Sequence, residues 1–187
     1  ARCVDRIVEA ASGRMQQRFT QEQDPADWCA VFAVFFLSLL WLRLGIPSRI
    51  YFDEVHYVAA ARKLLEGVRF NPEHPMLGKE VIAAAIALLG DKPLVWRAPM
   101  ALAGAFGLFA SARFTWFVTG RRIATFAAMF LLATNFLWFM QSRIAMLDMI
   151  MAMLGMTGLW LFASALRKPA QGRWRLALAG AAFGLAL

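Results

Sequence analysis

The chain of 187 residues is 60% hydrophobic and only 17% charged, with a mean hydropathy of +0.55, whereas a soluble domain of this size carries about a quarter charged residues. Its apolar residues gather into long uncharged runs, which excludes an ordinary soluble domain and implies an integral membrane protein. A formal net charge of +8 would suit a nucleic-acid partner, but the bases fall mostly in short loops between apolar runs, where membrane topology accounts for them.

Residues 1–27 are polar, with Val4, Ile7, Val8, Ala11 and Met15 at helical spacing. That pattern predicts an amphipathic arm on the cytoplasmic surface, a disordered tail being the competing reading. Cys3 and Cys29 show neither metal-ligand spacing nor a disulfide framework. The chain begins without Met and stops inside the apolar run GAAFGLAL, as a piece of a longer protein would.

A spanning helix needs roughly 17–25 apolar residues. Spans are predicted over about 28–46, 93–118, 123–140 and 147–166, with a truncated one over 176–187. Trp28, Trp41, Trp96, Trp116, Trp138, Trp160 and Trp174 fall near the ends of these runs, at the headgroup level that tryptophan prefers. The run VIAAAIALLG, Val81 to Gly90, is closed by Asp91 and Lys92 and is too short to span, so an interfacial or re-entrant helix is expected there. TGRR (119–122) and RKPAQGRWR (167–175) are rich in bases, whereas QSRIAM (141–146) has one Arg. The positive-inside rule therefore puts the first two in the cytoplasm, and loops 47–92 and 141–147 on the far side. The domain reading is a cytoplasmic arm over 1–27 and a membrane domain over 28–187, in the inner or plasma membrane.

Three constellations fall on that far side. Asp53 and Glu54 precede VHYVAAARKLLEG, whose Val55, Tyr57, Val58, Leu64 and Leu65 give a helix an apolar side and whose Gly67 is a plausible stop. Asp53 could simply cap this helix, with Glu54 favouring its positive end, or serve as a carboxylate general base at the membrane surface. In NPEHPMLGKE, Glu73, His74 and Lys79 supply an acid, an imidazole and an ammonium on a Pro- and Gly-bounded turn, which could equally be an ordinary turn. A metal held by Glu73 with His74 or His56 is the weaker alternative, since the ligand spacing is not a recognised one; no cofactor is expected. In QSRIAMLDM, Arg143 ends the third run and Asp148 opens the fourth. They could pair to tie two helix ends together, or face a polar cavity. Arg97 could hold an anion or snorkel to the headgroups, and snorkelling is the leading reading for Arg113.

Acids and bases converging at one surface, on loops between spanning helices, suit a reaction on a lipid-anchored phosphate. No GxxxxGK[ST] or GxGxxG motif is present, so a cytosolic nucleotide is not the obvious donor. A transporter would place its ionisable groups nearer mid-membrane; that class, or a structural membrane subunit, is the competing reading.

FDEVHY, HPMLGKE, GDKPLVWRAP and QSRIAMLDM resemble, in order and spacing, the N-terminal half of the protein O-mannosyltransferase family, over about residues 46–187. The resemblance implies an all-α, GT-C-type multi-spanning helix bundle with short interfacial helices on its extracytoplasmic loop. It also implies transfer of mannose, with inversion, from a polyprenyl-phosphate donor to Ser or Thr of an exported protein. Asp53 matches the family's general base, and Glu54 its partner, which helps place the acceptor. His74, Pro75, Gly78 and Lys79 match the HPPLGK signature beside the lipid phosphate. Arg97 and Arg143 fall where the family has bases near that phosphate, and Asp148 matches a recurrent acid. Met76 replaces the signature's second proline. Glu73 beside His74 is similar to transferases that move aminoarabinose onto lipid A, where an acid at a similar place is linked to a metal. A glycolipid acceptor is therefore the alternative.

Overall fold

The computed structural model describes residues 22–68, 70–72 and 74–186. Most of the expected amphipathic arm, with Cys3, lies outside the described residues, and so does Glu73. Helix α1 (Ala26–Trp41) opens where the Asp24 carboxylate accepts the Ala26 N–H at 3.0 Å. It buries Cys29, Ala33, Phe36 and Leu40, a three-and-four spacing that lays one stripe against its neighbours. After it come α2 (Glu54–Leu65), α3 (Met76–Leu89), α4 (Pro93–Thr119) and α5 (Arg122–Ala133). The last are α6 (Phe136–Gln141), α7 (Leu147–Arg167), a 3₁₀ turn at Pro169–Gln171 and α8 (Gly172–Leu185). No strand occurs among the described residues.

Helix α4 is the axis of the bundle, packed against α1, α3, α5 and α7. Small residues let the backbones approach, the usual device where helices associate without a hydrophobic driving force. A Cβ at Gly104 would lie 2.1 Å from Ser142 Oγ, and one at Gly107 would lie 3.0 Å from the Trp138 ring. The Trp138 indole N–H donates to the Gly104 carbonyl at 3.2 Å.

Helices α4, of 27 residues, and α7, of 21, are long and apolar enough to cross a membrane, over nearly the stretches expected. The 16-residue α1 and 12-residue α5 are shorter apolar helices. The continuous third span expected over 123–140 is instead two helices. Thr134 Oγ1 bonds back to the Phe130 carbonyl at 2.8 Å, and Asn135 Oδ1 accepts the Trp138 N–H at 3.0 Å. Side chains that offer the backbone such alternatives end one helix and cap the next. The short helix expected from Val81 begins at Met76, and its 14 residues give about 21 Å of length, too little to cross the ~30 Å hydrocarbon core. The fifth apolar helix starts at Gly172 rather than near Leu176.

The two ends of the bundle differ. At one end, Arg113, expected to snorkel, is only 5% exposed and donates to both oxygens of Asp24, with Nη2–Oδ2 at 2.7 Å. Burial pushes the Asp24 carboxyl up, but the hydrogen bonds and charge of Arg113 outweigh it and hold the group below its ordinary value. The neighbouring Glu22 and Gln23 accept from the Arg122 backbone and side chain. A buried base needs a partner, and the chain before α1 supplies it. The residues singled out for chemistry gather at the other end.

Candidate active site

The chain leaves α1 through a turn in which Arg43 has φ 56°, and re-enters α2 through Phe52 at φ 55°. A bulky residue in the left-handed region costs roughly 1–3 kcal/mol and persists only where its surroundings impose it. Arg97, in the second turn of α4, imposes it. Its Nε donates to Glu54 Oε1 at 2.7 Å and its Nη2 to Oε2 at 2.8 Å. The remaining N–H groups reach the carbonyls of Leu44 at 3.0 Å, Pro47 at 2.9 Å and Arg49 at 3.4 Å. A guanidinium has five N–H groups, and all five are used. Its plane also lies 5.3 Å from the Tyr51 ring centre.

Glu54 is equally engaged. Besides Arg97 it accepts the Ala145 N–H at 3.0 Å and the Tyr51 N–H at 3.4 Å. The pair is 1% and 0% exposed. Arg97, expected beside a donor phosphate, has no N–H left for one, and Glu54, expected to place the acceptor, is closed off from it. Both side chains are structural at this point in the fold.

Asp53 behaves differently. It stands at the N-cap position of α2, yet its side chain makes no capping hydrogen bond. Among the described residues its carboxylate has no hydrogen-bond or ion-pair partner, and it is half-buried. The capping alternative is therefore not what holds it. One helical turn on, Tyr57 stands on the same side of α2. Burial, and then the negative charges of Asp53 and Asp148, push the Tyr57 hydroxyl above its ordinary value. Tyr57 itself is buried, at 8% exposed. The exposed His74 ring meets Tyr57 edge-on, with centroids 5.5 Å apart.

The loop from Ser142 to Met146 locks these parts together. Arg143 donates to the carbonyls of Leu39 at 3.3 Å, Leu40 at 2.8 Å and Leu42 at 2.8 Å, satisfying the last turn of α1. It forms no ion pair with Asp148, which is exposed at the start of α7. Gly78 lets α3 press on the head of α7, since a Cβ there would lie 2.5 Å from Leu147 Cδ2. Lys79, one residue on, is 1% exposed and donates to the Asn71 carbonyl. It lies beneath the 71–75 turn rather than on its surface.

The structure thus sets His74 against Tyr57 and leaves Asp53 half-buried and Asp148 exposed, while Glu54, Lys79 and Arg97 are buried. Tyr57 closes the FDEVHY motif and in the sequence counts only toward a helix's apolar side, but its spacing of four from Asp53 was a usable signal. The Ala145 N–H and the three carbonyls held by Arg97 had none. Among the described residues no group of three or more His, Cys, Asp or Glu could hold a metal ion, and Glu73 is outside that set.

Two family models match the chain, over residues 30–98 and 73–187, and both are described as dolichyl-phosphate-mannose-protein mannosyltransferase. Together the matched stretches contain every residue of this site. No curated protein and no solved structure matches the chain.

Proposed function

Because the chain belongs to the dolichyl-phosphate-mannose-protein mannosyltransferase family, and so to the membrane-associated glycosyltransferases, we propose that it transfers mannose from a polyprenyl-phosphate donor to a Ser or Thr hydroxyl of an exported protein, with Asp53 as general base. One observation carries the assignment of the base. Of two adjacent carboxylates, Glu54 is buried and fully engaged, while Asp53 is half-buried and, among the described residues, without a partner.

The acceptor oxygen attacks C1 of the mannose from the face opposite the phosphate, and its proton passes to the Asp53 carboxylate. The C1–O bond breaks and its electron pair leaves with the polyprenyl phosphate, inverting the anomeric centre. The leaving group is already good, so positive charge near it suffices in place of a strong acid. Arg143 uses three of its five N–H groups on α1, which leaves it the base best suited to that role. Arg97 acts through Glu54, as a positioning residue. Tyr57 and Asp148 line the acceptor side. The reaction runs on the extracytoplasmic face of a multi-pass inner or plasma membrane protein, with the N-terminus in the cytoplasm.

The test is sugar transfer by the full-length protein in membranes, with labelled polyprenyl-phosphate mannose and a Ser/Thr-rich peptide. Asp53→Asn, matched for expression, should lose about 10²–10⁴-fold in rate. Undiminished transfer would remove Asp53 from the role. Label appearing in a glycolipid rather than the peptide would replace the acceptor class.

A further inference from the structure

An open apolar groove runs between α1 and α4. Its outer part has a volume of about 650 Å³ and includes Leu37, Trp41, Arg43 and Leu102 in its lining. It continues past Ala30 and Phe106 to Phe109, adding a cavity of about 340 Å³. From Ala30 to Trp41 the groove follows about 16 Å of helix, roughly half the ~30 Å hydrocarbon core and therefore one leaflet. Trp41, 43% exposed, marks the interfacial end. Just beyond it Arg43 is exposed and, among the described residues, its guanidinium has neither hydrogen bond nor ion pair. An unpaired cation at headgroup level calls for an anion.

We propose that this groove binds a membrane glycerophospholipid, one acyl chain lying between α1 and α4 and the phosphodiester held by Arg43. The depth of a single leaflet fits an acyl chain rather than the far longer polyprenyl tail of the donor. The lining contains none of Asp53, Tyr57, His74 and Asp148, so a donor seated here would not present its sugar to the base. The seat shares none of those four residues with the candidate site, although Arg143 donates to the carbonyl of the groove residue Leu42.

The full-length protein, extracted in mild detergent and reconstituted with phosphatidylglycerol and phosphatidylcholine, would be examined by native mass spectrometry for retained lipid. The expected result is a retained phospholipid, held about tenfold less well by Arg43→Gln, the scale of one lost charge-assisted contact, and excluded by Leu102→Trp, which fills the groove. Helical circular dichroism of both variants shows whether they fold, and Arg43→Gln carries the test if the tryptophan variant does not. Retention unchanged in a folded Arg43→Gln would overturn the proposal. So would retention of polyprenyl phosphate in place of phospholipid, or no retained lipid at all.

Discussion

Arg97 holds Glu54 through two nearly parallel hydrogen bonds of 2.7 and 2.8 Å, in a pair that is 1% and 0% exposed. The partners stand 43 residues apart in the chain and join the start of α2 to the central helix. Removing one member leaves an uncompensated buried charge. Arg97→Leu and Glu54→Leu should therefore each destabilise by about 3–5 kcal/mol, whereas the doubly apolar protein should lose less than the sum of the two. Arg97→Lys should also be poorly tolerated, because an ammonium cannot reproduce the fork. Unfolding midpoints in detergent measure all four variants.

Asp53→Asn tests the chemistry and Asp53→Ala the capping. The side chain makes no cap hydrogen bond, so stability should stay within about 0.5 kcal/mol of the parent while transfer collapses. A loss of about 1 kcal/mol in Asp53→Ala but not in Asp53→Asn, which keeps a capping oxygen, would show that the side chain caps α2 in solution.

Gly104→Ala places a methyl group 2.1 Å from Ser142 Oγ and 2.7 Å from its Cβ. Overpacking should cost about 1–3 kcal/mol, and Ser142→Gly introduced alongside should recover part of it. Thermal melts of the single and double variants give the coupling directly.

Acid should loosen the segment that carries the base. The hydrogen bond from Arg62 first, and then that from the Trp96 indole, outweigh burial and hold the Asp91 carboxyl below its ordinary value of 3.8. A depressed folded-state value means that the stabilisation is fully present above the unfolded value and is lost as pH falls through the lowered one. The contact is about two-fifths exposed on each side, so its contribution is small and salt-sensitive. Protection from hydrogen exchange at the C-terminal turn of α2, taken relative to the intrinsic rate at each pH, should fall below about pH 4, near the carboxylate reference values. In Arg62→Gln that protection should be low already and nearly independent of pH.

Long apolar runs were legible because nothing interrupts them. Helices α4 and α7 fall almost where hydropathy and flanking tryptophans put them, as the bulk property that drives insertion is also what the eye sums along the chain. The break at Thr134 and Asn135 was not legible. Two small polar residues vanish into the average of their apolar neighbours, although locally they redirect the backbone hydrogen bonds. The same holds for charge. The gathering of acids and bases at one end follows from helix parity alone. Which of them are spent on the protein depends on partners 43 residues away for Arg97 and 89 for Arg113, and local spacing carries no information about those. Arg97 had an innocent reading and a functional one, and Arg113 a snorkelling one. What each turned out to do, bracing a remote segment, belongs to none of these.

Arg97 gathers the carbonyls of Leu44, Pro47 and Arg49 together with the Glu54 carboxylate, so the exit from α1 and the entry to α2 are riveted to one point on α4. Because α4 is long enough to cross the bilayer, the membrane itself sets the altitude of Asp53. The segment that carries Asp53 is tied to that level by the same five hydrogen bonds. A residue inserted between Pro93 and Arg97 would shift that altitude by about 1.5 Å and swing it about 100° round the helix, altering where a substrate must stand without touching any group that meets it.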